Sequence, residues 1–187
     1  MSWLADSRSV AAAEKILDAA AALFVRHGVA EVGMNEIAEE AGCSRATLYR
    51  YFESRDALRI AYLHREARKI SQQVSDSVDD IADPAERLTT AILNTVHIVR
   101  ENPTLSAWFR PNEAPIGGEL ASQSEVINAI SAAFLETLGA NMPNTDLRAR
   151  WILRVILSLL TYPEDNPADE RALITNYVAP LVATSRW

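Results

Sequence analysis

The sequence predicts an all-α protein with a small N-terminal domain and a larger helical body. Apolar residues recur at spacings of three and four along most of the chain, which is the period of a helix with one buried face. Proline and glycine interrupt this pattern where helices would have to end, as at Asn102-Pro103 and Gly117-Gly118. The 187 residues are 49% hydrophobic, which is enough for a substantial core.

The first predicted helix, 10–27, carries an apolar stripe with Leu17 and Phe24, and Gly28 ends it. Residues 3–8 before it are expected to form a mobile arm. The segment 110–118 is expected to be a loop, because it holds two prolines and two glycines. The same rules predict the other helices at 34–41, 45–52, 54–78, 84–101, 103–109, 119–138, 146–162 and 168–185. On the helix at 54–78, four basic side chains are expected to be mostly solvated: Arg59, Arg65, Arg68 and Lys69.

The stretch 34–52 has the pattern of two short helices joined by a tight turn. Gly42 suits the turn because it tolerates positive φ, and Ser44 suits the N-cap of the second helix. Leu48 and Phe52 lie four residues apart on one side of that helix, which leaves its other flank exposed. This pattern is typical of a helix-turn-helix whose second helix reads the DNA major groove. Similar helix pairs also occur in helical proteins that do not bind DNA.

The charge distribution favours nucleic-acid binding at this motif. The net charge is −7, but residues 1–70 hold ten basic and ten acidic side chains, and residues 71–187 hold eight basic and fifteen acidic ones. Within 45–69, seven basic residues stand against three acidic residues. The basic residues are therefore concentrated where the motif lies, and the body is acidic.

Other functions find no support in the sequence. It has no nucleophile elbow, P-loop, HExxH or dinucleotide fingerprint, and its three histidines are scattered, so neither an enzyme nor a cofactor nor a metal site is predicted. A single cysteine, Cys43, excludes an internal disulfide; a small buried side chain is one interpretation of it and a redox switch is the other. Without a signal peptide or a membrane-spanning stretch, a cytoplasmic protein without a membrane partner is expected.

A longer pattern extends from the first helix into the fourth and resembles the DNA-binding domain of the TetR family of bacterial repressors. The resemblance covers about residues 10–60, a third of the chain. It rests on Ile16, Leu17, Ala20, Leu23, Phe24, Gly28, Ile37, Ala38, Ala41, Gly42, Ser44, Thr47, Leu48, Tyr49, Tyr51, Phe52, Ser54 and Leu58. It implies an all-helical homodimer in which three N-terminal helices bind double-stranded operator DNA. A fourth helix then connects these to a body that dimerises and binds a small-molecule effector.

The resemblance also assigns roles to residues of the second motif helix. Base-edge contacts fall to Arg45, Ala46 and Thr47, with Arg45 or Arg50 as the better candidate for a bidentate contact to guanine. Contacts to the phosphates and sugars of the DNA backbone are assigned to Ser44, Thr47, Tyr49 and Tyr51. Arg55 stands where the family usually has lysine, and it adds a guanidinium fork for phosphate. Gly33 departs from the pattern, because the family commonly has threonine at this cap position.

The body, 54–187, is expected to hold the dimer interface and the effector site, and 1–53 the DNA-binding domain. The helix at 146–162 is apolar nearly all round from Trp151 to Leu160, and 168–185 has a broad apolar stripe, so both are predicted to pair with a second copy. A central helix of a monomer is the alternative. Candidate pocket residues, each of which is also compatible with core packing, are His97, Trp108, Phe109, Phe134 and Trp151.

Two functions therefore remain open from the sequence. The first is a dimeric transcriptional repressor that a small molecule releases from its operator. The second is a helical interaction protein that keeps the DNA-binding domain but is regulated by a protein partner.

Overall fold

The computed structural model describes residues 3–139 and 144–183, with side chains described from 9 to 181 inside those ranges. The described residues form an all-helical fold, as predicted. The helices are α1 Trp3–His27, α2 Met34–Glu40, α3 Arg45–Tyr51, α4 Arg55–Val78, α5 Pro84–Glu101, α6 Pro103–Ser106, α7 Ala114–Gln123, α8 Glu125–Glu136, α9 Thr145–Thr161, α10 Pro167–Leu173 and α11 Ala179–Ala183. A 3₁₀ turn, Ala107–Phe109, follows α6, and a π turn, Ile174–Val178, joins α10 to α11.

Helices α1, α2 and α3 pack together into an N-terminal unit with a shared apolar core. Phe24, Ile37 and Leu48 are fully buried there, and Phe52 closes the same cluster at the end of α3. Arg26 near the end of α1 pairs with Glu40 of α2 at 2.8 Å. The buried side chains hold α3 by its apolar face, so its orientation depends on α1 and α2.

Helix α4 connects this N-terminal unit to the body through an aromatic cluster. Tyr62 of α4 stacks on Trp108 with ring centroids 5.7 Å apart, and Phe24 of α1 meets both rings edge-on. All three rings are fully buried. Burial raises the pKa of Tyr62 to about 12, and its hydroxyl hydrogen-bonds Thr104 of α6 at 2.9 Å. The cluster therefore ties α1, α4 and the segment after α6 together. Because α1 contacts both units, the division of the chain after residue 53 stays a prediction.

In the body, α5 lies at the centre and packs against α4, α9 and the C-terminal helical run, while α8 packs along α4 and α9. The run from α10 to α11 includes the π turn, which ends two residues before Pro180. A proline lacks the N–H that an α-helix requires, and the wider turn changes the hydrogen bonding at this point, with Ala179 N–H bonded to the Ile174 carbonyl. None of the described helices is both long enough and apolar enough to cross a membrane.

The structure corrects four expectations from the sequence. Residues 3–8 belong to α1 and do not form an arm. The loop expected at 110–118 is short, because Pro115 occupies the first turn of α7, where proline is tolerated. Gly117 lies inside α7, and a Cβ there would sit 2.8 Å from the Trp108 carbonyl oxygen, so glycine permits a close approach. The helix expected at 119–138 is two helices, because Ser124 caps α8 through the N–H of Ile127.

The fourth correction concerns arginines of α4 that the sequence placed in solvent. Arg59 is only 4% exposed, and its guanidinium donates to the Val29 carbonyl and to Asp56. Burial and the neighbouring Arg55 lower the pKa of Arg59 below its usual value. Arg65 is also largely covered, by carboxylates of Glu14, Asp18 and Glu66. The predicted helix end at residue 185 and most of the predicted connection 139–145 lie outside the described residues.

An ion pair fixes the C-terminal helical run to the body. Arg100 of α5 binds both carboxylate oxygens of the buried Glu170 of α10, at 2.6 and 3.0 Å, and also donates to the Leu159 carbonyl at 2.8 Å. These hydrogen bonds from Arg100 hold the pKa of Glu170 below its usual value of 4.5. A bidentate pair of this kind joins three helices at one point.

Replacing Glu170 by glutamine is expected to lower the free energy of unfolding by about 1–3 kcal/mol at about pH 7, because Arg100 loses its carboxylate. Since the folded pKa of Glu170 is depressed, its contribution is present above the unfolded pKa and is lost as the pH falls through the folded one. Urea unfolding at about pH 7 and about pH 4 measures this; the gap between the two proteins should narrow as the pH falls below the unfolded pKa. Glu101→Gln, an exposed control on α5, should change neither value, and an undiminished gap at low pH would contradict the account.

Candidate nucleic-acid interface and body cavity

The turn before α3 sets the direction in which that helix points. Gly42 has φ of +65°, a left-handed conformation that disfavours side chains, and it follows Ala41, the C-cap of α2. The Ser44 hydroxyl then accepts the Thr47 N–H at 3.1 Å and lies 2.9 Å from the Thr47 hydroxyl. The N-cap and the glycine turn therefore lie where the sequence predicted them.

The outward face of α3 presents donors and cations to solvent. Ser44, Arg45, Ala46, Tyr49 and Arg50 are exposed, whereas Thr47 and Tyr51 are half-buried at its edges. The Arg45 guanidinium carbon lies 5.4 Å from the centre of the Tyr49 ring, and Arg50 lies at the same distance from Tyr51. Each arginine thus stacks on a tyrosine of the same helix, which limits its rotamers while leaving its N–H groups available.

The opposite face of α3 is completely covered. Leu48 is 0% exposed and Phe52 is nearly so. A helix with one face buried and a basic, hydroxyl-rich face exposed has the shape and chemistry that the major groove of DNA accepts.

Arg55 and Gly33 flank this helix on the side of the α1–α2 loop. Arg55 is exposed at the start of α4 and donates one hydrogen bond to the Ala30 carbonyl at 3.1 Å. Its guanidinium has five N–H donors, so it can keep this bond and still contact a phosphate. Gly33 is the N-cap of α2 and has no side chain that could contact a phosphate. Its backbone N–H donates to the Glu36 carboxylate at 2.8 Å. Cys43 is a half-buried free thiol that packs against the core.

The body contains an apolar cavity of about 170 Å³ between α4, α5, α8 and α9. Of the five predicted pocket residues, Trp108, Phe109 and Phe134 line it. His97 points to solvent from the outer face of α5. Trp151 is 45% exposed, because the buried face of α9 is set by Ile152 and Leu153 beside it. The cavity thus brings three of the predicted residues together and leaves two outside.

The segment 108–113 joins the cavity to the N-terminal unit. Trp108 contacts Phe24 of α1 in the aromatic cluster. Arg110 donates to the Val25 carbonyl in the last turn of α1 at 3.3 Å. The buried Glu113 carboxylate accepts the Ala30 N–H, in the α1–α2 loop, at 2.8 Å. One short segment therefore lines the cavity at one end and holds the loop before α2 at the other.

Sequence reasoning did not assign roles to Arg59 or Glu113. Both bind backbone groups of the α1–α2 loop, 30 and 83 residues away along the chain. In the sequence, Glu113 lies in a proline-rich stretch, where an acidic side chain is usually exposed to solvent. The one local signal is its place just before a proline-bearing helix start, and this does not identify its distant partner.

The chain is similar to known transcriptional regulators. The family model for bacterial regulatory proteins of the tetR family matches residues 16–62. The uncharacterized HTH-type transcriptional regulator Rv1255c of Mycobacterium tuberculosis is 52% identical over 181 residues, covering 96% of this chain and 90% of the relative. The solved TetR family repressor AlkX from a Dietzia species is 21% identical, with a TM-score of 0.66 and coverage of 91% and 96%. RolR in complex with resorcinol is 18% identical, with a TM-score of 0.67 and coverage of 95% and 90%.

Proposed function

Because the chain belongs to the TetR family of bacterial regulatory proteins and is a helix-turn-helix transcriptional regulator, not an enzyme, we propose that it is a homodimeric repressor that a small-molecule effector releases from its operator. The exposed basic face of α3, held from behind by buried side chains, is the observation that carries this proposal. The relative AlkX is described as a repressor, which agrees with negative control.

In this proposal α3 enters the major groove of double-stranded DNA. Arg45, Ala46, Thr47 and Arg50 read base edges, with an arginine on guanine as the main specific contact. Ser44, Thr47, Tyr49, Tyr51 and Arg55 bind phosphates and sugars and fix the register. The stacking of Arg45 on Tyr49 supports this division, since a phosphate bound at the tyrosine hydroxyl would position the arginine beside it.

Dimerisation places two copies of α3 about one DNA turn, ~34 Å, apart, and so requires a near-palindromic operator. The apolar surface supports the interface predicted from the sequence. Six of the eight exposed large hydrophobic residues among the described ones lie on α9, at its end or on the C-terminal run: Leu147, Trp151, Tyr162, Leu173, Tyr177 and Leu181. Apolar patches of this kind usually mark interaction sites.

The apolar cavity is the proposed effector site, and the segment 108–113 is the proposed route to the DNA. A ligand that displaces Trp108 or Phe109 would strain the contacts that this segment makes to α1 and to the α1–α2 loop. If the ligand prefers the conformation that does not bind DNA, it weakens DNA affinity, and DNA weakens ligand affinity by the same factor. RolR, which shares the fold, has been solved with resorcinol, so a small organic effector is in keeping with the fold.

A gel-shift with the DNA that flanks the gene of this protein tests the proposal. A regulator should shift one fragment at concentrations where scrambled DNA of equal length stays free. The alternative, a helical protein that works through a protein partner, predicts no preference between the fragments. A transcription assay from the shifted fragment then separates repression from activation.

Arg45→Ala is expected to relax discrimination at one base position by about 1–3 kcal/mol, because it removes a base-edge contact. Tyr49→Ala is expected to weaken binding to all sequences alike, since it removes a backbone contact. Fluorescence anisotropy with a set of operators mutated at single positions measures both effects. Arg68→Ala on the exposed side of α4 is the matched control and should match the parent protein. Equal weakening on every operator by both variants would contradict the assigned roles.

A further inference from the structure

A second cavity adjoins the first, and its chemistry is different. This arginine groove, of about 240 Å³, is lined by Val99, Arg100, Ser106, Phe109, Arg110 and Leu160. Val99, Phe109 and Leu160 also line the apolar cavity. The two spaces therefore share three wall residues and lie next to each other.

The apolar cavity offers no cation to a charged ligand. Its ionisable lining residue is Glu66, whose carboxylate is already bonded to Arg65 at 2.8 Å and Lys69 at 3.0 Å. The hydroxyls of Thr95 and Ser131 donate to carbonyls of their own helices. Its volume is close to that of an engineered apolar cavity of about 150 Å³ that stays dry and binds benzene. The space thus suits an uncharged hydrocarbon portion of a molecule.

The arginine groove supplies the missing cations. Arg110 is exposed and makes one bond, to the Val25 carbonyl, and no carboxylate pairs with it in the part of the chain that the structure describes. Arg100 gives three of its N–H bonds to Glu170 and Leu159, which leaves two of its five donors. Arg110 offers a cation without a carboxylate partner among the described residues, and Arg100 offers two further N–H donors beside its pair with Glu170, so the groove can bind an anion.

We infer that the effector is an amphiphile, with its hydrocarbon chain in the apolar cavity and a carboxylate or phosphate bound by Arg110 and Arg100 in the groove. This inference rests on the proposed function, because it names the chemical class of the effector. It also supplies a direct link to the DNA-binding unit. Arg110 donates to the Val25 carbonyl at the end of α1, so an anion that moves its guanidinium would also disturb this bond.

Isothermal titration calorimetry of the purified full-length protein with chain-matched ligands tests the inference. Decanoate and decyl phosphate should bind at least about tenfold more tightly than decanol, because only the anions gain charge-assisted hydrogen bonds. The coenzyme A thioester of decanoate, as a further arm, distinguishes a free acid from a phosphate-bearing carrier. Inorganic phosphate alone should bind weakly, since it leaves the apolar cavity empty.

Arg110→Gln is expected to lower the ratio of decanol to decanoate dissociation constants toward one, with the remaining donors of Arg100 keeping a small preference, and Arg110→Lys, which keeps the charge, to preserve more of it. Arg68→Gln removes an exposed arginine elsewhere and should keep the parent ratio. Circular dichroism melting verifies that each variant is folded. Equal affinity for decanol and decanoate, an unchanged ratio in Arg110→Gln, or no binding of any arm would overturn the inference.

The same ligands added to the protein–DNA complex separate this inference from the function on which it rests. Release of DNA by decanol as well as by decanoate would leave the effector-controlled repressor standing and refute the anionic class. Failure to bind any flanking DNA, with the decanoate preference intact, would instead refute the repressor and leave the amphiphile site standing.

Discussion

Replacing Trp108 by alanine is expected to lower the free energy of unfolding by about 3–5 kcal/mol, among the largest effects of any single truncation in this chain. The ring is 0% exposed, and it stacks on Tyr62 and meets Phe24 at 5.2 Å. Its loss would open a void where α1, α4 and α7 meet, and rigid helices cannot collapse to fill such a void. Urea unfolding followed by far-ultraviolet circular dichroism measures the change.

Trp108→Phe is the matched control, because it keeps an aromatic ring and removes the indole N–H. That N–H is buried and has no hydrogen-bond partner among the described residues, so it already costs about 1–3 kcal/mol. The phenylalanine variant should therefore lose much less stability than the alanine variant. If Trp108→Ala cost under about 1 kcal/mol, the packing of the two units through this ring would be refuted.

The DNA-binding helix could be predicted in detail because its determinants are local. Its three determinants all lie within a dozen positions: the glycine turn at Gly42, the cap at Ser44 and the four-residue spacing from Leu48 to Phe52. Each has one structural consequence. The structure places them accordingly, with the basic face outward. Short-range signals suffice where the element is short and amphipathic.

The junction between the two units could not be predicted, because its determinants are distant in the chain. Glu113 reaches Ala30 across 83 residues, and no periodicity links the two positions. Arg59 is buried although arginines on an exposed-looking helix usually remain in solvent, and backbone carbonyls of the α1–α2 loop compensate its burial. Only the packing of α1 against α4 and α6 brings these groups together.

The cavity shows that a small error in the predicted rotation of a helix about its axis is enough to assign a residue to the wrong face. Aromatic type suggested both Phe134 and Trp151, and only the first lines the cavity. One residue along a helix is a turn of about 100°, so the neighbours Ile152 and Leu153 face inward and Trp151 does not. A helix that is apolar all round gives no signal that separates its two faces.

Because Trp151 faces outward, Trp151→Glu is expected to convert the proposed dimer into a monomer at micromolar concentration and to lower operator affinity by a factor of about 10²–10⁴. A glutamate there would be buried without a partner when two copies meet, which costs several kcal/mol. Tyr177→Glu, at a position 67% exposed on the C-terminal run, should act in the same way. Sedimentation velocity measures the first effect and operator anisotropy the second.

The control for both variants is Val10→Glu on α1, which places the same charge at a residue whose exposure, 63%, is close to that of Tyr177 and above that of Trp151. It should leave the protein dimeric, since the proposed interface does not include α1. The loss of affinity depends on the dimer alone, because a single copy of α3 binds one half-site and loses the effective concentration that its partner provides. If the Trp151→Glu protein stayed dimeric, the dimer interface would have to lie on another face of the body. A monomer with undiminished operator affinity would show that one α3 reads the operator without help.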